Sequence, residues 1–374
     1  MTISIHQANK SDWKAIGEFI NEAYGPVASF KGFARWNWQF VANPFRDERS
    51  DLVPVWLAKD AEKIVGQIAV QPAIVRIDGQ AHPAGWMVDV FVLPEYRNQS
   101  LGHRLHSVVA ASVPNLTMLT MAPATRRMAL RGNCVTLGPV QEFVKLVNLD
   151  SDVLRRHLLA RVSHRPIVHF VIERACDIYG DRVLTGVLNA FARWHEKPSH
   201  HEYSDITIEE IAVFDGEIED FWAHVRNSYP AIFSRDTKFL NWRFVNVPDL
   251  NYRSFAARRS GQCVGYVVLR RTTAVELPVG VIVDLLTIPN DIEVVGSLID
   301  HALFTFGKDI AAVDCVTCHP MIIGVLRAQG FLPLRTVYPT VVCQDPLLRK
   351  QIYQLKDQWY FTKCDHDWDQ VNPV

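Results

Sequence analysis

The sequence lacks the features that mark membrane-spanning, exported and disulfide-stabilised proteins. Among its 374 residues, no apolar run reaches the roughly 18 residues that a membrane-spanning helix needs. Residues 1–6 contain no basic stretch followed by an apolar core, so no secretory signal is expected. The seven cysteines are scattered and odd in number, which favours reduced thiols over a disulfide framework. We therefore expect a cytoplasmic protein with no membrane partner.

An excess of charge of either sign is also lacking. Lys and Arg number 39 against 40 Asp and Glu, and the net charge of −1 gives no general drive toward nucleic acid. Low-complexity segments are absent from the sequence as well. Apolar residues, in contrast, are abundant at 48%, which over this length is enough for two sizeable cores.

The most informative part of the sequence is a strand, a loop and a helix in succession. Residues 86–93 are rich in β-branched and aromatic side chains, which predicts a strand. After a loop, Leu101 and Leu105 recur at helical spacing. The start of such a helix points free N–H groups and the positive end of its dipole toward the loop, and Gly102 lets an anion approach. The pattern predicts binding of a nucleotide-like cofactor.

A second motif reveals an internal repeat. Asn-Trp-Gln-Phe-Val-Ala-Asn-Pro at residues 37–44 returns as Asn-Trp-Arg-Phe-Val-Asn-Val-Pro at residues 241–248, with five of eight positions identical. The order of the following elements also repeats, since residues 89–94 correspond to residues 284–289. The chain is therefore predicted to contain two copies of one domain.

The repeat sets the predicted domain boundaries. The first copy spans residues 1–150 and the second spans residues 205–374. Residues 151–204 are too many for a simple loop, and their apolar spacing predicts a helical connector. The tail from Pro346 onward is rich in aromatic residues, which suggests that it packs against the second copy.

The strand, loop and helix resemble motif A of the GNAT acyltransferase superfamily, whose Arg/Gln-x-x-Gly-x-Gly/Ala loop holds the pyrophosphate of coenzyme A. Residues 326–331, Leu-Arg-Ala-Gln-Gly-Phe, resemble the superfamily's closing Leu-x-x-x-Gly-Phe. Ser100 stands where the family has its first glycine, and we expect it to take a more ordinary backbone angle. The chain as a whole resembles a tandem, duplicated GNAT protein of bacterial type.

The resemblance implies an α/β fold (α+β mixed sheet). It consists of two GNAT-like domains, each a twisted mixed sheet flanked by helices. The implied cofactor is acetyl-CoA or another acyl-CoA, with the pantetheine arm along the strand and the pyrophosphate in the loop. The residues implied in cofactor binding are Phe91, Val92, Leu93, Arg97, Asn98, Gln99, Ser100, Leu101, Gly102 and His103.

Family chemistry is a direct attack of an amine on the thioester, for which the protein supplies position and electrostatics. The attacking ammonium must lose a proton, and Asp89 is the candidate general base. Asp284 holds the same place in the second copy, so a shared structural role is an equal alternative. Many family members use a tyrosine as general acid after the fifth strand, but residues 124–130 contain none.

The second copy is predicted to have lost cofactor binding. Its loop, residues 290–296, is shorter and carries two carboxylates, which would repel a pyrophosphate. It would then serve as a scaffold or as one wall of an acceptor cleft between the copies. Trp36, Trp38 and Phe40 would line that cleft or, alternatively, anchor the core.

Two further patterns are set aside. Cys-Val-Thr-Cys-His at residues 315–319 matches a c-type haem attachment pattern, but it lies on a predicted strand. Asp365, Asp367 and Asp369 have the spacing of a calcium loop without its glycine and glutamate. No metal site is predicted.

The sequence thus predicts an N-acyltransferase, in first place an N-acetyltransferase, acting on a small-molecule or protein amine and without a nucleic-acid partner. The alternative is a noncatalytic CoA-sensing or protein-interaction module on the duplicated fold. A transferase of the related tandem fold that uses charged transfer RNA is disfavoured by the near-neutral charge.

Overall fold

The computed structural model describes residues 3–97, 100–119, 126, 134–148, 205–274 and 277–370. The predicted connector lies outside the described residues, as do Asn98 and Gln99 of the predicted loop. Within the described ranges, no helix is both long and apolar enough to cross a membrane.

Two mixed sheets form the framework, and their strands are numbered along the chain. The first sheet contains, side by side, β1 (Ser4–Asn9), β2 (Leu52–Asp60), β3 (Lys63–Ile77), β4 (Gln80–Val92), β5 (Asn115–Met118), β15 (Thr340–Cys343) and β6 (Cys134–Thr136). The short strands β9 (Ala231–Phe233) and β16 (Trp359–Tyr360) extend it from β3. The second sheet contains β14 (Leu332–Val337), β7 (Val140–Leu146), β13 (Ala312–Thr317), β12 (Leu277–Thr287), β11 (Gln262–Ala274), β10 (Arg253–Arg259) and β8 (Ile206–Ile211).

Helices flank both sheets. They are α1 (Trp13–Tyr24), α2 (Phe33–Trp36), α3 (Leu101–Ser112), α4 (Gly216–Val225), α5 (Thr237–Leu240), α6 (Ile292–Phe306), α7 (Pro320–Ala328) and α8 (Pro346–Gln354). In α3, Leu101 and Leu105 are buried, as their spacing predicted; Val109 is buried as well, whereas Val108 is exposed. The expected α/β fold with two mixed sheets flanked by helices is confirmed.

The two halves of the chain exchange a strand. β7 comes from the first half but lies between β13 and β14 of the second sheet. β15 comes from the second half but lies between β5 and β6 of the first sheet. Each sheet is therefore completed by a strand from the other half.

The repeated Asn-Trp-x-Phe motif joins the halves. Asn37–Val41 and Asn241–Val245 both form a π-helical turn that presents a tryptophan to the other half. Trp38 and Trp242 stack with ring centroids 4.5 Å apart. Each indole N–H donates to the main-chain carbonyl of the other tryptophan, at 2.8 and 2.9 Å. The repeat thus produces a near-symmetric contact.

The carboxyl-terminal segment, residues 359–370, packs between the sheets and not against the second half alone. Trp359 and Phe361 belong to the apolar core of the first sheet, whereas Tyr360 and Cys364 belong to that of the second. An aromatic-rich sequence indicates burial but cannot specify which core it enters. The expectation of packing on the second copy alone was wrong in this respect.

The strand exchange predicts that the two sheets unfold together. Val341 is buried in β15, and Val341→Ala removes apolar contacts worth on the order of 2 kcal/mol. We expect calorimetry to show one transition, shifted as a whole to lower temperature. Leu334→Ala, at an exposed site on β14, is the control and should shift it little. Two transitions, of which only one moves, would contradict the coupling.

Candidate functional site

The distinctive feature of β4 is the short stretch over which it pairs with its neighbour β5. β4 pairs with β5 only at Gly85 and Trp86. Three residues further on, β4 bulges: Val88 faces Ala69 and Phe91 faces Gln67 across β3, which leaves two residues opposite one. Asp89 lies in this bulge in the left-handed region, with φ of +51°. Beyond Trp86, no described strand pairs with this inner edge of β4, and we call the edge along residues 87–92 the wedge.

The inner edge of β4 is more exposed than the corresponding edge of β12 in the second sheet. Residues 89–92 of β4 are all half-buried, whereas the corresponding residues 284–287 of β12 are all buried. In the second sheet, the hydroxyl of Tyr229 donates to the carbonyl of Thr287 at 2.9 Å. The hydroxyl of Tyr360 donates to the carbonyl of Leu285. The remaining cavity is about 10 Å³, room for one water at most.

The inner edge of β4 has fewer such contacts. Among the described residues, no side chain donates to the carbonyl of Val90, which corresponds to Leu285 of β12. Arg97 donates through Nε to the carbonyl of Val92 at 3.0 Å, and its guanidinium lies 5.4 Å from the ring of Phe91. The two sheets therefore differ at Val90, whose carbonyl is left for an extended ligand, whereas the carbonyl of Val92 already accepts from Arg97.

The loop after β4 ends in an uncapped helix. Ser100 precedes α3 with φ of +57° and ψ of 13°, so it adopts the left-handed conformation and not the ordinary angle that we expected. The left-handed conformation is disfavoured for a residue other than glycine by roughly 1–2 kcal/mol. The Ser100 side chain makes no capping bond. The first N–H groups of α3, at Leu101, Gly102 and His103, therefore face the loop without a serine cap.

Side chains around the loop divide into core and surface. Leu93 and Leu101 are buried in the apolar core, so only their main chain can contact a cofactor. His103 is exposed beside the loop. Arg104 is directed away, since its guanidinium donates to the carbonyl of Ile3 at 2.7 Å.

The corresponding helix of the second half is capped by its own residues. Asp291 accepts a hydrogen bond from the N–H of Val294 at 3.1 Å and forms an ion pair with Arg259 at 2.5 Å. Glu293 binds the same arginine at 3.1 Å. A carboxylate thus already occupies the helix start, where an anion would otherwise bind.

A buried charged cluster lies beside the bulge of β4. Lys31 forms an ion pair with Asp89, and its ammonium lies 4.9 Å from the ring of Tyr24. Burial alone would lower the pKa of Lys31, but Asp89 and then Asp367 raise it above its ordinary value. Arg35 lies in the same cluster, near Asp89 and Asp367, and binds the carboxyl-terminal segment through Gln370. Residues from both ends of the chain therefore meet at β4.

The second sheet has a corresponding pair that is fully enclosed. Arg235 donates to Asp284 at 3.0 Å and to Asp365 at 2.7 Å. Tyr266 and Thr362 donate to the same Asp284 at 2.8 and 2.7 Å. With its acceptor sites filled by these donors, Asp284 has a structural role.

Residues 4–123 match the family model of the acetyltransferase (GNAT) domain. That region carries the open wedge, the loop and α3. The first half of the chain contains a GNAT domain. The predicted resemblance to this family is confirmed.

Solved structures of similar fold cover both sheets. A GCN5-related N-acetyltransferase from Anabaena variabilis is 12% identical, with a TM-score of 0.56 over 91% of this chain and 72% of its own. A similar protein from Kribbella flavida is 10% identical, with a TM-score of 0.56 over 91% and 70%. N-myristoyltransferase of Saccharomyces cerevisiae with bound myristoyl-CoA is 9% identical, with a TM-score of 0.55 over 91% and 78%. No curated protein matches the sequence.

In the GNAT domain, the structure brings the predicted residues to one place. Asp89, Phe91 and Val92 lie along the wedge, and Arg97 and Ser100 lie in the loop at its end. Whether these residues bind a cofactor stays a prediction.

Lys31, Arg35 and the carboxyl-terminal segment were not predicted. One signal for Lys31 was present, because Lys31 and Arg235 each stand six positions before the asparagine of the repeated motif. The three aspartates with calcium-like spacing bind cationic groups instead: Asp365 pairs with Arg235, Asp369 with Arg243, and Asp367 with His366. Of the Cys-x-x-Cys-His residues, Cys315 is buried and the Cys318 thiol donates to the carbonyl of Trp359 at 2.9 Å.

A cleft of about 640 Å³ opens between the two repeated motifs. Its lining residues are Ala34, Asn37, Trp38, Ala42, Pro44, Glu48, Thr237, Lys238, Asn241, Trp242, Asn246 and Pro248. Trp38 lines it as predicted, whereas Trp36 and Phe40 pack in the core of the first sheet. Of the predicted cofactor residues that the structure describes, none lines this cleft.

The two cation–aspartate pairs should differ in their effect on stability. Arg235→Met leaves Asp284 and Asp365 buried without their cation and should cost about 3–5 kcal/mol in the free energy of unfolding. Lys31→Met should cost less, because Lys31 and Asp89 keep some contact with solvent. Urea denaturation of both variants measures this. Equal losses in the two variants would contradict the expectation that the Arg235 pair contributes more to stability than the Lys31 pair.

Proposed function

We propose that the protein is an acyl-CoA-dependent N-acyltransferase, with the acyl-CoA bound by its GNAT domain. Acyl transfer to an amine is the activity that this kind of domain supports in general. The observation that carries the proposal is the edge of β4 that no described strand pairs with beyond Trp86, followed in the chain by the uncapped start of α3. The wedge suits the extended arm of a cofactor, and the helix start suits its phosphates.

The proposed binding mode uses mainly the backbone. The arm would pair with β4 at Phe91, Val92 and Leu93, where Arg97 now covers the carbonyl of Val92. The pyrophosphate would lie against the N–H groups of Leu101, Gly102 and His103, and Arg97, Asn98, Gln99 and Ser100 would surround it. A phosphate at these N–H groups gains both hydrogen bonds and the favourable end of the helix dipole.

The reaction would be a direct attack of an amine nitrogen on the thioester carbon. Asp89 is the proposed general base, and Lys31 would hold its carboxylate in place beside the wedge. Main-chain N–H groups of the bulged strand would stabilise the charge that develops on the thioester oxygen. The protein would otherwise contribute position, which by itself lowers the barrier considerably.

We propose acetyl as the acyl group. Aromatic rings pack at the point where β4 and β5 part: Trp86 lies 4.4 Å from Phe233 and 6.0 Å from Phe361, between ring centroids. Filled space at the closed end of the wedge supports a short acyl group over a long chain. The acceptor would be the amine of a small molecule or of a protein.

Titration calorimetry with acetyl-CoA tests the proposed cofactor site. We expect one molecule bound per chain, because the second wedge is filled by Tyr229 and Tyr360. Gly102→Glu should abolish binding, since it places a carboxylate at the start of α3. Ser112→Glu places the same charge at the other end of that helix and should leave binding intact. Two molecules per chain, or equal binding by both variants, would contradict the site.

Turnover separates the enzyme from the alternative, a noncatalytic CoA-sensing module. The proposed enzyme consumes the thioester of acetyl-CoA when an amine is present. Saturable binding of acetyl-CoA without thioester loss across a panel of primary amines would favour the sensor. The absence of a tyrosine from residues 124–130 is also consistent with a sensor.

A further inference from the structure

The carboxyl-terminal segment places a histidine where β4 and β5 part. Met87 is the residue after the last β4 residue paired with β5, and its carbonyl lies 3.4 Å from Nε2 of His366. The imidazole packs edge-on against Trp86, with centroids 5.8 Å apart. His366 is buried at this position, at the closed end of the wedge.

The other ring nitrogen faces a carboxylate. Nδ1 of His366 lies 2.6 Å from an oxygen of Asp367. Nδ1 makes no hydrogen bond of good geometry to this carboxylate, but the adjacent negative charge favours the protonated ring. Burial alone would lower the pKa of His366, but Asp367 raises it above its ordinary value.

The charged groups around this pair come from several elements. Arg243, in the second π-helical turn, donates to the main-chain carbonyl of His366 at 3.2 Å, and its charge opposes protonation of the ring. Lys31 and Arg35 of the first half act on Asp367, and together with His366 they lower its pKa despite burial. Asp367 is thus held as a carboxylate next to His366.

The orientation of the bound cofactor determines which of its groups would lie next to His366. The proposed pyrophosphate loop follows the carboxyl end of β4, so the arm would run back along the strand from Val92 toward Asp89. Its reactive end would then lie at the far end of the wedge, next to Met87 and His366. This step rests on the proposed function.

We propose that His366 is the general acid of acyl transfer and that Asp367 positions it. The amine nitrogen forms a bond to the thioester carbon, and the carbon–sulfur bond breaks. His366 gives its Nε2 proton to the departing thiolate, while the amine nitrogen gives a proton to Asp89. The two groups later return to their starting states by exchange with solvent.

Other proton donors near the wedge hold their protons more tightly. Burial, followed by the charge of Asp89, raises the pKa of the Tyr24 hydroxyl far above its ordinary value. The pKa of Lys31 is also raised. His366 fills the role for which the sequence offers no tyrosine after β5, and it comes from the other half of the chain.

The test follows loss of thioester absorbance with acetyl-CoA and hydroxylamine, over the reaction without protein, as a function of pH. A general acid works only while protonated, so the rate of the unmodified protein should fall as the pH rises through the pKa of His366. His366→Gln should lose on the order of 10²–10⁴-fold in rate below that pH and show no such fall. Asp367→Asn should move the fall to lower pH, because Asp367 raises the pKa of His366.

His319→Gln is the matched control. This histidine is half-buried beside Tyr360, near the filled wedge of the second sheet, and its substitution should leave the pH profile unchanged. Calorimetry should show that His366→Gln still binds acetyl-CoA. If that variant does not fold, the shift in Asp367→Asn decides the question.

Four outcomes would overturn the proposal. A His366→Gln variant with the rate and pH profile of the unmodified protein would remove the acid role. A variant that loses acetyl-CoA binding, or an Asp367→Asn profile that does not move, would reduce the pair to a structural one. If the unmodified protein consumes no thioester with hydroxylamine or water, the proposed function itself fails, and the role of His366 with it.

Discussion

Backbone hydrogen-bonding groups must find partners wherever a strand separates from its neighbour, and this requirement shapes both halves of the protein. β12 meets it internally, because tyrosine hydroxyls reach the carbonyls of Leu285 and Thr287. In β4, residues 89–92 are half-buried, and the carbonyl of Val90 has no side-chain donor among the described residues. One fold has therefore produced a closed, structural copy and an open copy suited to an extended ligand.

The carboxyl-terminal segment contacts the edge of β12 in the second sheet and the edge of β4 in the first. Tyr360 and Thr362 fill the wedge of the second sheet, and a few residues later His366 and Asp367 reach the wedge of the first. The exchanged strands β7 and β15 fix the sheets relative to each other, so this segment is held in register with both. The second half thus places His366 and Asp367 beside the proposed site of the first.

Local patterns in the sequence predicted much of the fold. Alternating apolar residues and helical spacing gave β4 and α3, and the repeated motif gave the duplication, because each signal is contained in a short segment. The strand exchange was beyond such reasoning, since the residues of β15 suit the centre of either sheet. The left-handed angle of Ser100 was not predicted either, because serine disfavours it.

The candidate site was only partly predictable for the same reason. Its loop is contiguous and was recognised, but Lys31 lies 58 residues from Asp89, and the carboxyl-terminal histidine lies 279 residues from Met87. Contacts over such separations depend on the folded arrangement. The shared position of Lys31 and Arg235 before the repeated motif was the one sequence signal of the charged cluster.

Hydrogen exchange with and without acetyl-CoA tests most directly whether one wedge is open and the other closed. Binding should slow amide exchange in β4 after Trp86 and in the first turn of α3, and it should leave β12 and the start of α6 unchanged. Slowed exchange in β12 and α6, or none in β4 and α3, would contradict this account.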